Sequence, residues 1–347
     1  MFNPNPIITA VQNNCDIADV RHAREMGMCN YLLAMRDFYR WELGVPLGHQ
    51  MKKSEIGNWL SQRETRWNEI ENDDFRSIQI DGHDHDPFDY ASINLRLTDH
   101  GFVYGSGYGY WGKPQFFLAN LISCEHRSGL EIYKAGQEFA RNIAAPPAAQ
   151  NHNTIFIRMD IMQRWLFGKV EIWGTNKTES ALKSMLDCYG ATDSVESKLA
   201  TIAEHESETL ILHEVGEAMA DPLLGDDWNE MLSSFNLRRC ELISRAVRDN
   251  LADCLSTLPE LISRGDSCSL HFYFSNFEGM RQSLFPTLSQ AYKHWISSGD
   301  FTLLLSATAA GREYWLKAAR DMLNTWMNNP ANAEAMIASD SEIQYKL

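Results

Sequence analysis

Apolar residues recur every three to four positions in two stretches near the beginning of the chain. In the first, between residues 16 and 42, the apolar face carries Met28, Leu32, Met35 and Tyr39. The second runs from residue 54 to residue 70, and Ser54 is a suitable N-cap for it. Because this spacing places apolar side chains on one side of a helix, the pattern predicts two amphipathic helices.

The pattern changes between residues 75 and 134, where short runs of β-branched and aromatic residues are separated by Gly, Asp and Pro. These runs cover residues 77–80, 102–104, 116–118 and 130–133. Such runs, bounded by turn residues, are typical of strands. The Arg127-Ser128-Gly129 segment is typical of a hairpin turn. The sequence therefore predicts a small antiparallel sheet with flanking helices.

Beyond an Ala- and Pro-rich segment at 144–149, which we interpret as a linker, the pattern is almost entirely helical. We expect helices near 194–221, 227–256, 281–297 and 302–328. Residues 269–279 stay undecided between helix and strand, because the aromatic composition of this segment suits a strand. The predicted fold class is α+β. It has an α+β domain at residues 1–149 and an all-helical, bundle-like domain at 150–347.

The charge of the chain limits its partners. There are 46 acidic and 31 basic residues, which give a formal net charge of −15. Since this charge opposes contact with phosphate backbones and anionic lipids, we expect neither nucleic acid nor a membrane as a partner. The beginning of the chain does not have the pattern of a signal peptide, and the seven cysteines include no CxxC pair. We therefore expect a cytoplasmic protein without a disulfide framework.

The strongest chemical signal lies in the predicted helix 194–221. At about 100° per residue, Glu206, His213 and Glu217 fall on one stripe of this helix. The neighbouring positions are apolar on several sides, which indicates burial. Buried carboxylates must be paired, protonated or bound to a cation. One imidazole and two carboxylates suit zinc, manganese or iron, so these three residues are predicted metal ligands.

The pattern His213-Glu214-x-x-Glu217 is similar to the HExxH helix of zinc metalloproteases. The similarity covers one helix, and Glu217 stands where that motif has its second histidine. The resemblance implies an acid or base role for Glu214 and does not extend to protease activity. A metal needs further ligands from elsewhere in the chain, and the best candidates are His271 and Glu278, which share one face if their segment is helical.

A glycine-rich segment at residues 107–112 matches the letters of GxGxxG, but three of its variable positions are large aromatic residues. A phosphate-binding turn needs small residues and the N-terminus of a helix after it. Here a predicted strand follows. We therefore expect no nucleotide cofactor.

Three functions remain open at this point, one of which is a small-molecule binding module with an apolar pocket at the junction of the two halves. The first is a metal-dependent enzyme with its site in the helical half, carrying out oxidative chemistry on a small molecule with iron or manganese, or hydrolysis with zinc. The second is a non-enzymatic scaffold or partner-binding protein, whose buried stripe forms a salt-bridge network with Arg238, Arg245 or Arg281. A second histidine beside the stripe would favour the metal, and an arginine there would favour the network. The sequence does not indicate the oligomeric state.

Overall fold

A computed structural model gives the structure of residues 2–109 and 112–347. The contacts within it divide into two units, one that ends at Glu171 and one that begins at Ile172. The predicted boundary after residue 149 lies earlier in the chain. The difference arises because residues 154–158 form a strand that pairs with the sheet of the first unit.

The strands of the first unit form two sheets. Their bounds are β1 Ile78–Ile80, β2 His83–His85, β3 Phe102–Tyr108, β4 Pro114–Arg127, β5 Leu130–Arg141, β6 Ala148–Asn151 and β7 Thr154–Arg158. β1 and β2 pair with each other, and the other five form a curled half-barrel in the order β3-β4-β5-β7-β6. β5 and β7 run parallel. The prediction of a small antiparallel sheet is therefore wrong in both size and strand direction.

Two features of the last strands explain this error. All five residues of β7 are buried, so the strand lacks the alternation of apolar and polar residues that marks a half-exposed strand. β6 begins inside the Ala- and Pro-rich segment, whose composition is typical of a loop. The predicted turn at Arg127-Ser128-Gly129 does join β4 to β5. In the glycine-rich segment 107–112, Tyr110 and Trp111 lie outside the described residues.

Helices pack on the sheet of the first unit. Their bounds are α1 Asn5–His22, α2 Met28–Glu42, α3 Lys53–Ile70, α4 Tyr90–Leu97 and α5 Met159–Gly174, with 3-10 turns at Ala23–Glu25 and Thr98–His100. The predicted first helix is thus split near Gly27. α1 buries Val11, Cys15 and Ala18 in one core with Phe116 of β4.

The second unit is helical, as the sequence predicts. Its elements are α6 Ala181–Cys188, α7 Leu199–Leu224, α8 Asp227–Ser234, α9 Arg238–Ala252, a π-helical turn Asp253–Thr257, α10 Leu258–Arg264, α11 Ser267–Asn276, α12 Gly279–Leu284, α13 Pro286–Ser298, α14 Thr302–Asn328 and α15 Ala333–Gln344. One continuous core includes Trp228, Phe285 and Trp315. The undecided segment 269–279 is helical as far as Asn276. No helix in the described ranges is long and apolar enough to cross a bilayer.

Candidate metal centre

The candidate centre lies where α7 meets the end of α9, and a glycine on α7 allows this approach. A Cβ atom at Gly216 would lie 2.3 Å from the carbonyl oxygen of Ala252. A contact of that length with backbone is not tolerated, so any larger residue would push the two helices apart. Glycine in the middle of a helix costs about 1 kcal/mol relative to alanine. Here it lets His213 and Glu217 reach the side chains of the facing helix.

His213 has a carboxylate beside each ring nitrogen. Its Nδ1 lies 2.8 Å from Oδ1 of Asp253, and its Nε2 lies 3.5 Å from Oε1 of Glu217. Asp253 belongs to the π-helical turn and also accepts hydrogen bonds from the hydroxyl of Tyr273, at 2.8 Å, and from the guanidinium of Arg281. These bonds hold Asp253 in place, and Asp253 in turn fixes the orientation of the imidazole.

Asp249 completes a group of three potential ligands. One ligand atom each from His213, Glu217 and Asp249 lie within 4.8 Å of one another. Among the residues that the structure describes, these are the only three His, Cys, Asp or Glu side chains that meet this spacing. All three side chains are only partly buried. The group therefore combines one nitrogen and two oxygen donors with a side that solvent can reach.

Glu214 stands beside this group without a partner. Its side chain makes no hydrogen bond or ion pair with any residue in the described part of the chain, although only 7% of the residue is exposed. Burial, followed by the charge of Glu217, raises the pKa of Glu214 to about 8. The same two causes raise the pKa of Asp249 to about 6. Both carboxyl groups therefore hold their protons more tightly than usual, first because they are buried and second because Glu217 is negatively charged.

Arginines and the histidine act on the other carboxylates. The Nη2 of Arg248 lies 2.5 Å from Oε2 of Glu217. Burial alone would raise the pKa of Glu217, but Arg248 and His213 lower this pKa well below its usual range. Burial alone would lower the pKa of His213, but the charge and hydrogen bond of Asp253 raise it well above its usual value. The imidazole is therefore protonated at neutral pH when nothing else binds its Nε2.

Glu206, the third residue of the predicted stripe, lies in a different cluster. It is completely buried and accepts hydrogen bonds from the hydroxyl groups of Tyr189, Thr209 and Ser269, at 2.5, 2.8 and 3.2 Å. Burial raises the pKa of Glu206, and these bonds partly offset the rise. Its position two helical turns before His213 gives it separate partners, so the structure does not bring Glu206 to the three-residue group.

His271 and Glu278 are also not part of the group. The Nδ1 of His271 lies 2.8 Å from the hydroxyl of Tyr292, and its ring packs at 5.1 Å from that of Trp295. Glu278 precedes the first residue of α12. Because α11 ends at Asn276, the two residues do not share one helix, and the spacing of seven does not place them on one face.

The arginines that contact the stripe differ in part from those expected. Arg281 reaches Asp253, whereas Arg245 pairs with Glu241 of its own helix at 2.8 Å. Arg248, which the sequence interpretation overlooked, pairs with Glu217. Asp249 and Asp253 were overlooked as well. Their spacing of four residues, directly after Arg248, is the sequence signal that could have identified them.

Comparison with known protein families gives one match for each half of the chain. Residues 6–158 match the N-terminal domain, and residues 163–344 the C-terminal domain, of a family of unknown function, DUF6866. No curated protein and no solved structure matches the chain. The family models divide the chain between residues 158 and 163, a few residues before the division between the two units at Glu171, and the candidate centre lies in the C-terminal domain. The chain therefore belongs to the DUF6866 family.

Proposed function

We propose that the C-terminal domain is a metal-dependent enzyme whose ion is held by His213, Glu217 and Asp249. The observation that carries the proposal is the 4.8 Å convergence of one imidazole and two carboxylates from two different helices. Three protein ligands with a side open to solvent are typical of catalytic metal sites, which keep a position for water or substrate.

The contact between His213 and Asp253 supports this proposal. Metal-binding histidines usually donate one ring N–H to a carboxylate or carbonyl, which fixes the tautomer and leaves the other nitrogen for the metal. Here Nδ1 faces Asp253, and Nε2 faces the carboxylate of Glu217. The nitrogen that would bind the ion therefore lies on the side of the other ligands.

The charges at the centre support a divalent cation. The centre contains four carboxylates, those of Glu214, Glu217, Asp249 and Asp253. The guanidinium groups of Arg248 and Arg281 neutralise two of these charges, so two negative charges remain when His213 is neutral. Uncompensated buried charge is unfavourable, so the protein must take up either protons or a cation. A divalent ion of zinc, manganese or iron supplies the missing two charges.

Glu214 is the residue to which we assign proton transfer. It is unpartnered, lies next to the ligands, and has a pKa of about 8, which suits a group that accepts or donates a proton near neutral pH. When bound, the metal would supply an activated water molecule. We therefore favour hydrolysis of a small molecule. Oxidative chemistry with iron or manganese uses the same ligands but needs no such base.

A second candidate function, a non-enzymatic scaffold or partner-binding protein, is favoured by the arginine contacts. Arg248 pairs with Glu217, and Arg281 pairs with Asp253, as expected for a buried ion-pair network. Under this alternative, protons on His213 and Glu214 balance the remaining charge. The two candidates differ in one measurable property, which is whether the centre binds a metal ion stoichiometrically.

Elemental analysis tests the proposal on the full chain purified without an affinity tag, before and after anaerobic reconstitution with zinc, manganese and ferrous iron. We expect about one ion per chain in the wild type and in His294→Ala, a control that removes an exposed histidine of the same domain. We expect loss of the ion in His213→Ala and in Asp249→Asn. A folded wild type that stays empty with every ion, or variants that keep the metal, would favour the scaffold.

A further inference from the structure

A buried arginine without a partner stands out in the first unit. Arg40 of α2 is only 4% exposed, and its Nε is buried without a hydrogen bond. Among the residues that the structure describes, none forms a hydrogen bond or ion pair with its side chain. Its guanidinium carbon lies 5.3 Å from the centre of the Phe167 ring on α5. This aromatic contact does not supply the negative charge that a buried guanidinium needs.

The acidic groups around Arg40 are already paired with other arginines. Glu171 accepts a hydrogen bond from Arg36 at 2.5 Å. Asp37 lies 3.0 Å from Arg141 and 3.5 Å from Arg164. Asp160 pairs with Arg164 at 3.1 Å. The four arginines, including Arg40, exceed the three carboxylates by one, so one positive charge remains, and it remains on Arg40.

Loss of a proton does not remove this charge. Burial lowers the pKa of Arg40, but an arginine stays protonated in proteins. The Nε of Arg36, which precedes Arg40 by one turn of α2, is also buried without a partner. Unpaired guanidinium N–H groups with a surplus positive charge are the complement of an oxyanion, which a guanidinium binds through two parallel hydrogen bonds. The whole chain has a net charge of −15, so a local surplus of positive charge distinguishes this position from the rest of the protein.

We propose that Arg40 binds a small oxyanion, the carboxylate or phosphate group of a ligand, between α2 and α5. Arg36 assists through its unpaired Nε. The proposed site belongs to the first unit and the candidate metal centre to the second.

Thermal unfolding of the full chain tests the proposal with sodium acetate and sodium phosphate as probes. Each is compared with sodium chloride at the same ionic strength in a cationic buffer, so that general salt effects cancel. For the wild type, an anion at about ten times its Kd should raise Tm by on the order of 3 °C. Arg40→Met keeps the length of the side chain but removes its charge, and it should abolish this shift. Arg96→Met, at an exposed position, should retain it.

A second variant keeps the charge and changes the geometry. Arg40→Lys should weaken binding of the effective anion at least tenfold in calorimetric titrations, because lysine lacks the two-pronged guanidinium. A response to acetate alone assigns a carboxylate ligand, and a response to phosphate alone assigns a phosphate ligand. The proposal is overturned if neither anion exceeds chloride in the wild type, or if Arg40→Met responds as the wild type does.

Discussion

Replacing Glu214 with glutamine removes a carboxyl group whose ionisation the folded centre disfavours. Burial and the charge of Glu217 raise its pKa from 4.5 to about 8. The proton therefore favours the folded state, and the stability of the wild type declines as pH rises from about 4.5 through about 8. Glu214→Gln lacks this group. We expect it to match the wild type near pH 4.5 and to be more stable above pH 8.

The size of the effect follows from the shift. One pKa unit corresponds to about 1.4 kcal/mol, so a rise from 4.5 to about 8 corresponds to at most about 5 kcal/mol. Neighbouring charges at His213 and Asp249 adjust their own protonation and reduce this value. We therefore expect Glu214→Gln to gain on the order of 2 kcal/mol at pH 9, or about 4–8 °C in Tm for a domain of this size.

The assay is thermal unfolding of metal-free wild type and variant at half-unit steps from pH 4.5 to pH 9. Glu196→Gln, which alters an exposed carboxylate of the same domain, is the control, and its difference in stability from the wild type should not change with pH. A difference between Glu214→Gln and the wild type that does not change with pH, or a variant that is less stable at pH 9, would contradict a raised pKa at Glu214.

Three further predictions concern the same centre. Gly216→Ala should destabilise the protein by about 1–3 kcal/mol in urea unfolding, because its Cβ meets the carbonyl of Ala252, and an unchanged midpoint would contradict the close approach. Asp253→Asn should lower the pKa of His213, measured by NMR. It should also lower the free energy of unfolding by about 3 kcal/mol, because it leaves a buried cation without its partner. An unchanged pKa of His213 would exclude Asp253 as the cause of the shift. Metal affinity should fall as pH is lowered from 8 to 6, because the raised pKa of His213 lets protons compete with the metal for its Nε2. Calorimetry in two buffers measures the protons released on binding. Binding that does not depend on pH would argue against His213 as a ligand.

Local patterns predict the helices of this chain better than its sheet. The last long helix, Thr302–Asn328, agrees with its predicted bounds, because its periodic apolar residues pack on one core. The predicted helix 281–297 is instead divided at Phe285, since Pro286 starts a new helix. The parallel pairing of β5 with β7 depends on residues that are far apart in sequence. No spacing within either strand indicates it.

The candidate centre shows the same limit. A spacing of four residues on one helix brings His213 and Glu217 together, and this was predictable from the sequence. Their other neighbours are Asp249 of α9 and Asp253 of the π-helical turn after it, and they reach the centre because α7 packs closely against the end of α9 at Gly216. Glu206 lies on the same face of α7, but it is two helical turns earlier. There it accepts hydrogen bonds from other side chains, those of Tyr189, Thr209 and Ser269. Helical periodicity specifies a face, whereas tertiary packing selects what that face contacts.

Anomalous diffraction from crystals soaked with zinc or manganese tests the metal centre most directly. We expect one strong peak about 2.0–2.3 Å from Nε2 of His213 and from carboxylate oxygens of Glu217 and Asp249. Nδ1 of His213 should still bond to Asp253. No peak at this position at saturating metal, with the guanidinium of Arg248 still bound to Glu217, would contradict the metal centre and favour a structural ion-pair network.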